Sequence, residues 1–238
     1  METFTLHFTR GTLNPVTDAR AMHNAFLFDG PQPGMEVARA LGDLSHNVYE
    51  PAAEDTGELL FADRWADPDG METFFANPVA MQAAGRLFAR REWSEWTPAP
   101  GAFGFQLPAP GGASARMLSI SRGPLNSLDG AVATLAEAVR SNLGTARRRG
   151  QVSHAVLHRP AQAAASRPAA NSKYGDELPQ AGPDAVTPAE LLVLESWSDA
   201  EGLLEQQRDL PLGKVLEEVL TGPLDVSVWQ QAGGYAEW

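Results

Sequence analysis

Hydrophobic and polar residues alternate at the start of the chain. Phe4, Leu6 and Phe8 fall on one face of an extended segment, and the residues between them are polar. A period of two residues is typical of a half-buried strand, so Thr3–Thr9 is predicted to be a first strand. Met117–Ser121 has a similar pattern and is predicted to be its equivalent in the second half of the chain.

A helical period follows each of these strands. In the second half, apolar residues recur every three or four positions, which predicts one amphipathic helix that ends at Gly150. Prolines interrupt the same region of the first half, so we predict a broken helix there, Thr17–Phe28 followed by Met35–Leu41.

Each half then continues with two strands, a helix and a last strand. Pro78 and Pro211 are expected to kink the two helices. The resulting order, βαββαβ twice, is that of the ferredoxin-like unit. The predicted strands are Asp43–Glu50, Leu59–Trp65 and Glu92–Thr97 in the first half and Val152–Arg159, Leu191–Trp197 and Asp225–Gln230 in the second, and the predicted helices are Pro68–Arg90 and Ala200–Leu220.

The two halves also match residue by residue. Arg10-Gly11-Thr12-Leu13-Asn14 returns as Arg122-Gly123-Pro124-Leu125-Asn126, with four of five residues identical. Further landmarks recur in the same order, so the chain is interpreted as an internal duplication. The repeats are placed at residues 1–112 and 113–238, with a long, mobile hairpin loop predicted in the second repeat at residues 161–188.

The duplication suggests how the sheets are covered. An antiparallel sheet with both helices on one face leaves its other face bare, and that face must be buried. A second copy within the same chain supplies a second sheet to pack against it. The predicted fold class is therefore α+β, with two tandem ferredoxin-like βαββαβ units forming an intrachain pseudo-dimeric α+β barrel.

Charge and composition narrow the range of partners. A formal net charge of −12 argues against a nucleic-acid surface, because phosphate binding requires clustered lysine and arginine. The chain has no cysteine, and no apolar stretch is long enough to span a membrane. We therefore expect a cytoplasmic protein that binds a small molecule and has neither a nucleic-acid nor a membrane partner.

A pattern of residues across both repeats carries a family resemblance. It consists of Gly42-Asp43-Leu44, Glu58–Trp65, Asp67, Gly70 and Asn77-Pro78, and again of Gly150-Gln151-Val152, Glu190–Trp197, Asp199, Gly202 and Pro211. With these residues the chain resembles the antibiotic biosynthesis monooxygenase-type family of dimeric α+β barrels. The resemblance implies a ligand cavity between sheet and helices, in a family that includes cofactor-independent oxygenases of polyketide phenols, haem-degrading enzymes and cyclases.

One departure from the family pattern affects the expected mechanism. The family often has a histidine nine residues after the tryptophan of the third strand. This chain has Phe74 and Gln206 at the two matching positions. Any mechanism that uses that histidine is therefore in doubt.

Two pairs of an acid and a tryptophan are candidate site residues. Asp63 and Trp65 share a face by alternation, as do Glu195 and Trp197. A carboxylate beside an indole in an apolar pocket could have a raised pKa and act as a general base. The alternative is that the tryptophans are core residues and the acids pair with an arginine.

Histidines supply a second set of candidates. His46 and His154 correspond between the repeats, and a neutral imidazole could accept a proton from a phenol or bind haem iron. The alternative is a structural role, with a ring nitrogen bonded to a neighbouring strand or helix. His23-Asn24 occurs in the first repeat alone, where Asn24 could hold a ligand carbonyl or dioxygen, although an exposed helix pair is equally consistent.

Arginines close to the first strands complete the candidate set. Arg10 and Arg122 could bind an anionic substrate or product. The alternative is that their shared motif is a strand-to-helix turn in which Asn14 and Asn126 are helix N-caps.

These candidates favour a cofactor-independent monooxygenase, an oxidoreductase, or a related enzyme acting on an aromatic or polyketide-like substrate. Neither a cofactor nor a metal is assigned. The alternatives are a non-catalytic small-ligand-binding or stress-response protein and a haem-binding protein, each as a monomer with an internal pseudo-dimer or as a homodimer. The predicted catalytic residues are His46 and Asp63, the predicted substrate-binding residues are Trp65, Asn24, His23 and Arg10, and their second-repeat equivalents are His154, Glu195, Trp197 and Arg122.

Overall fold

The chain forms two compact units. The computed structural model describes residues 3–15, 18–53, 56–108, 114–163, 186–209 and 212–238. The first unit comprises the residues up to Thr97 together with Trp229–Trp238, and the second comprises Pro98–Val228. The segment after each repeat's last strand thus belongs to the unit built mainly from the other repeat. The assignment of the repeats to residues 1–112 and 113–238 stays a prediction.

The first unit contains an antiparallel sheet and helices that pack on one of its faces. Its elements are β1 (Thr5–Leu13), α1 (Ala19–Phe28), α2 (Gly34–Ala40), β2 (Asp43–Pro51), β3 (Glu58–Trp65), α3 (Pro68–Ala76), α4 (Pro78–Leu87) and β4 (Phe88–Pro98). The strands pair in the order β2-β3-β1-β4. Aromatic side chains of α3 contact Trp65 of β3, which places the helices on the face that also bears Asp63.

The second unit repeats this order of elements. Its elements are β5 (Phe105–Gln106), β6 (Met117–Pro124), α5 (Leu128–Arg148), β7 (Gln151–Arg159), β8 (Gln162–Ala163), β9 (Val186–Thr187), β10 (Glu190–Trp197), α6 (Ala200–Asp209), α7 (Leu212–Val219) and the first part of β11 (Asp225–Gln231). The rest of β11, from Trp229 on, belongs to the first unit. β10 lies between β6 and β7, and β5 adds to the other side of β7. No helix among the described residues is long and apolar enough to cross a membrane.

The apolar period of α5 determines which of its faces is buried. Val132 and Leu135, which are 6% and 0% exposed, belong to one buried cluster with Leu191 and Val193 of β10. This cluster is the core of the second unit, and it forms because residues three or four apart project from the same side of a helix.

The shared arginine-glycine motif is part of a strand, so its interpretation as a strand-to-helix turn is wrong. Arg10 pairs in register with Leu60 of β3 and with Glu92 of β4, and these ladder hydrogen bonds extend β1 to Leu13. α1 begins later, and Asp18 is its N-cap, with a side chain that accepts from a backbone N–H of the first turn. Asn14 and Asn126 are therefore not helix N-caps, and Ser127 precedes α5 instead.

The helix predicted at Pro68–Arg90 is two helices. α3 ends at Ala76, and Asn77 accepts a hydrogen bond from the backbone N–H of Val79 at 2.9 Å. Pro78 then begins α4 at the position where its missing N–H costs least. The second unit has the matching pair α6 and α7, and Pro211 lies outside the described residues.

The insertion in the second repeat begins as a hairpin. Gln162–Ala163 pairs with Val186–Thr187 in an antiparallel arrangement. The rest of the loop predicted at residues 161–188, residues 164–185, lies outside the described residues.

Two matching glycines allow a helix to approach the end of a preceding helix. A Cβ added to Gly70 would lie 1.9 Å from the carbonyl oxygen of Leu41, and one added to Gly202 would lie 1.7 Å from that of Arg149. We expect Gly70→Ala to lower the free energy of unfolding by about 1–3 kcal/mol, because backbone atoms must move to relieve the clash. Urea denaturation measures this change.

Gly130→Ala is the matched control for this prediction. The nearest atom to a Cβ at Gly130, in α5, is 4.0 Å away. This substitution should raise the free energy of unfolding by up to about 1 kcal/mol, because alanine is the better helix former. Equal effects of the two variants would contradict the close approach at Gly70.

Candidate functional site

A row of three titratable side chains crosses the sheet of the first unit. His46 of β2, Asp63 of β3 and His7 of β1 are direct cross-strand partners, so their side chains project from the same face. They are buried, with 7%, 5% and 3% of their respective surfaces exposed. Groups of this kind are rarely buried so deeply unless they are paired or functional.

Hydrogen bonds connect this row to the first helix. His46 Nδ1 lies 2.5 Å from Asp63 Oδ1, and His46 Nε2 lies 2.9 Å from Nε2 of His23 on α1. On its other side, His23 Nδ1 lies 3.1 Å from Oδ1 of Asn24. A continuous chain therefore runs from a buried carboxylate through two imidazoles to an amide. His23 is 5% exposed, so the alternative of an exposed helix pair is wrong for this residue.

The orientation of Asn24 shows where the protons lie. Its Oδ1 accepts from the backbone N–H of Ala236 at 2.9 Å, and its Nδ2 donates to the carbonyl of Gly234 at 3.0 Å. His23 Nδ1 faces that same oxygen, so it must be the donor, and the Nε2 of a neutral His23 then accepts. His46 therefore donates from Nε2 to His23 and from Nδ1 to the carboxylate. Donation from both ring nitrogens makes His46 an imidazolium.

The pKa values of the two histidines agree with this assignment. Burial lowers the pKa of His46, but the charge and the hydrogen bond of Asp63 outweigh burial, so this pKa lies above its ordinary value. Burial, followed by the charge of His46, lowers the pKa of His23 to about 4. The proton between the two rings consequently belongs to His46.

Asp43 adds a second carboxyl near this chain. Burial, followed by the charge of Asp63, raises the pKa of Asp43 to about 7. In the second unit the matching cross-strand position holds Gln151, whose amide donates to Glu195 at 2.7 Å. A carboxyl could make the same donation only when protonated. The first site therefore has a carboxyl that can change its charge near neutral pH where the second site has an uncharged amide.

The C-terminal segment covers both imidazoles. Trp238 stacks on His46 with ring centroids 4.8 Å apart, and the backbones of the two residues exchange hydrogen bonds of 3.0 and 3.1 Å. Tyr235 meets His23 edge-on at 5.3 Å. Phe61 contacts the two imidazoles from the sheet, at 5.2 and 5.3 Å. Aromatic rings thus enclose the pair.

Trp65 lies in the aromatic core beside the site. It is 1% exposed and contacts Phe74 and Phe75 of α3. The alternative that Trp65 is a core residue is confirmed, and its role in substrate binding stays a prediction. Asp63 pairs with His46, so the alternative in which this acid pairs with an arginine is wrong.

The structure does not bring the two predicted arginines into this site. Arg10 lies on the face of β1 opposite to His7 and pairs with Glu58 at 3.0 Å. Arg122 pairs with Asp225 at 2.8 Å, in the same relation to its own strand. Both arginines are bound to exposed or half-buried carboxylates, and each lies on the strand face opposite to the histidine–acid pair of its own unit.

The second unit contains part of the same arrangement. His154 Nδ1 lies 3.1 Å from Glu195 Oε1, and Phe105 lies over the His154 ring at 6.2 Å. His154 Nε2 has no hydrogen-bond partner among the described residues, and α5 has no histidine to match His23. A cavity of about 30 Å³ adjoins this pair and is lined in part by Gln151 and Trp197. The second unit therefore has the histidine–acid pair but lacks the second imidazole.

Several participants were not among the candidates found from sequence. For His7 a local signal exists, because strand alternation places it on the polar face of β1. Burial lowers its pKa to about 4, and it stacks on Phe75 at 4.1 Å. Asp43 stands at the start of β2, but nothing local indicates its burial. Tyr235 and Trp238 are distant in sequence, and no pattern links them to His46.

No family model matches the chain, and no curated protein matches it. Solved structures do match over nearly its whole length. An anthrone oxidase-like protein is 12% identical with a TM-score of 0.59, and the match covers 100% of this chain and 93% of that one. A proposed monooxygenase from Lactobacillus acidophilus is 11% identical with a TM-score of 0.54, covering 96% and 93%. Another, from Fusobacterium nucleatum, is 8% identical with a TM-score of 0.53, covering 99% and 97%.

The βαββαβ order of each half is that of the ferredoxin-like unit, and the chain shares its fold with these anthrone oxidase-like and monooxygenase-like structures. The resemblance and the predicted fold class are therefore confirmed: the chain is an α+β protein of two tandem ferredoxin-like units, of the pseudo-dimeric α+β barrel class. At these low identities the likeness concerns the fold.

Proposed function

We propose that the protein is a cofactor-independent monooxygenase that removes a proton from an aromatic or polyketide-like substrate, whose anion then reacts with dioxygen. The observation that carries this proposal is the buried hydrogen-bonded chain Asp63–His46–His23 in the first unit. The likeness in fold between this protein and an anthrone oxidase-like protein is consistent with the proposal. His46 and Asp63 keep the catalytic roles predicted for them, and His23 becomes part of the base.

The two imidazoles act as one base. When the proton between them leaves, two Nε2 lone pairs face each other across 2.9 Å. Each lone pair raises the affinity of the other ring for a proton, and the Asp63 carboxylate stabilises the imidazolium that forms. Because the pKa of His46 is raised, the free base forms only as the pH rises through that raised value.

Dioxygen is the only co-substrate that the oxidation of an anthrone-type CH₂ group needs. The base removes one proton, the carbanion passes an electron to dioxygen, and the two radicals join through a new C–O bond. The peroxide anion takes the proton back as a hydroperoxide. The base then removes the second hydrogen as a proton, the C–H electrons form the C=O bond, and the O–O bond breaks. The departing hydroxide takes up that proton and becomes water.

Oxygen uptake in the presence of anthrone tests this proposal. We expect the purified protein to consume dioxygen and form anthraquinone in a one-to-one ratio, faster than buffer at the same pH. Anthracene is the matched control, because it has the same ring shape without the acidic CH₂ group. No acceleration with anthrone- or quinol-type substrates would reject the proposal, and binding without turnover would support a non-catalytic ligand-binding or stress-response protein.

Haem binding has less support from the geometry. Both ring nitrogens of His46 are hydrogen-bonded, so it could bind iron only by leaving the chain. The cavity of about 30 Å³ beside the His154–Glu195 pair is far smaller than ligand pockets of roughly 300–1,000 Å³. These residues therefore do not fit a haem group. The proposal includes a cytoplasmic location and either a monomer with an internal pseudo-dimer or a homodimer.

A further inference from the structure

Trp238 lies between the solvent and the proposed base. His46 and His23 are 7% and 5% exposed, and the rings of Trp238 and Tyr235 cover them. A substrate can reach the Nε2 atoms only if something moves, and the C-terminal segment carries both of the covering rings. Over His46, this segment contributes the indole ring of Trp238 and one pair of backbone hydrogen bonds between Trp238 and His46.

The segment also has the means to move. Gly233 and Gly234 precede the covering residues, and Gly234 has a φ of +82°, in the left-handed region that favours glycine. A Cβ at Gly233 would meet no atom within 4 Å, so packing does not hold this position. These two successive glycines can absorb the change in backbone dihedral angles that is needed to move Trp238 off His46.

The place of the indole is suited to a planar aromatic ring. Trp238 packs with the apolar group that contains Ala38, Met71 and Phe74. The guanidinium of Arg39 lies over the indole, 5.5 Å from the ring centroid. With His46 an imidazolium, the ring contacts two cationic groups. Cations attract the face of an electron-rich ring, and they attract an anionic ring more strongly.

We propose that the space occupied by the indole of Trp238 is the binding site for the aromatic ring of a phenolate-type ligand, which must displace the indole. The site would hold the ligand against the imidazole of His46, with Arg39 balancing its negative charge. This inference deepens the proposed function and rests on it, since it names the substrate class and the residue that regulates access. Phe105 occupies a similar place over His154 in the second unit, where the second imidazole is missing.

Binding of 4-nitrophenolate to Trp238→Ala tests the competition. If the open form is a minor state, removing the indole should tighten binding by about 10- to 100-fold, as measured by calorimetry. Phe105→Ala is the matched control and should bind as the unaltered protein does. 4-Nitroanisole cannot ionise, so removing the indole should increase the affinity for this compound much less. Adding Arg39→Gln to Trp238→Ala should weaken binding of the anion several-fold.

Hydrogen exchange in the unaltered protein provides a second test that does not depend on how the variant folds. The amide of Trp238 donates to the carbonyl of His46, and that of Ala236 donates to Asn24. Excess 4-nitrophenolate should speed exchange of both amides and leave the strand amides protected. Unchanged exchange, or a folded Trp238→Ala that binds no more tightly, would overturn the proposal. Because these readouts measure binding, an absence of anthrone oxidation would reject the oxygenase and leave the ring site standing.

Discussion

Replacing Asp63 by asparagine should lower the free energy of unfolding by about 3–5 kcal/mol at about pH 6, because it leaves the buried imidazolium of His46 without a counter-ion. The two side chains are 7% and 9% exposed and their atoms lie 2.5 Å apart, so water screens the pair little. Urea denaturation of the two proteins measures the difference.

The size of this effect should depend on pH in a definite direction. In the unaltered protein the folded-state pKa of His46 lies above 6.5, so its stabilising contribution is complete below pH 6.5 and is lost as the pH rises through the raised value. In Asp63→Asn, burial remains and the main attraction is gone, so this pKa falls. The difference between the two proteins should therefore be largest below pH 6.5 and should narrow as the pH rises through the raised pKa of His46.

Glu58→Gln is the matched control for the buried pair. It breaks the ion pair between Arg10 and Glu58, whose side chains are 35% and 25% exposed. Partly exposed pairs of this kind contribute about 0–1 kcal/mol, with little dependence on pH in this range. If Asp63→Asn and Glu58→Gln lowered the free energy of unfolding equally, both below pH 6.5 and at higher pH, His46 would not be charged in the folded state.

Replacing His46 by glutamine should reduce kcat/KM for anthrone oxidation by about 10²- to 10⁴-fold, the usual contribution of a general acid–base group. Glutamine can still hydrogen-bond to Asp63 and to His23, so the fold should be retained, but an amide cannot take up the substrate proton. Steady-state oxygen uptake, with circular dichroism to confirm folding, measures this loss.

The pH profile distinguishes a lost base from a disturbed pocket. In the unaltered protein the rate should rise with pH through the raised pKa of His46, because the base acts only after its shared proton has left. In His46→Gln that rise should be absent. His154→Gln is the matched control in the second unit and should keep both rate and profile. If activity were instead lost in His154→Gln alone, the catalytic site would have to be assigned to the second unit.

The duplication shows which features belong to the fold and which to one site. Both repeats keep a histidine paired with an acid, at 2.5 Å in the first unit and 3.1 Å in the second. The first repeat alone adds His23, and it holds Asp43 where the second holds Gln151. A pair present in both copies is consistent with a role in the sheet. The additions supply the second imidazole of the proton relay and a second carboxyl beside it, on which the proposed function depends.

Local periodicity accounts for most of what could be predicted. Alternation placed Asp63 and Trp65 on one face of β3, and both are buried there, because a strand has a period of two whatever surrounds it. The same reasoning failed for Asn14, since ladder pairing of Arg10 with β3 and β4 extends β1 further than its own pattern indicates. Strand ends depend on their neighbours, and a single segment does not reveal them.

The sequence by itself determined the order of elements, the internal repeat and the fold class, since these depend on patterns within short stretches of chain and on their recurrence. Only the tertiary structure decided that His46 meets His23, that Asn24 orients their protons, and that Trp238 covers His46. Those contacts join a strand, a helix and the C-terminal segment. Their formation depends on how these elements pack, which no local period of hydrophobic and polar residues records.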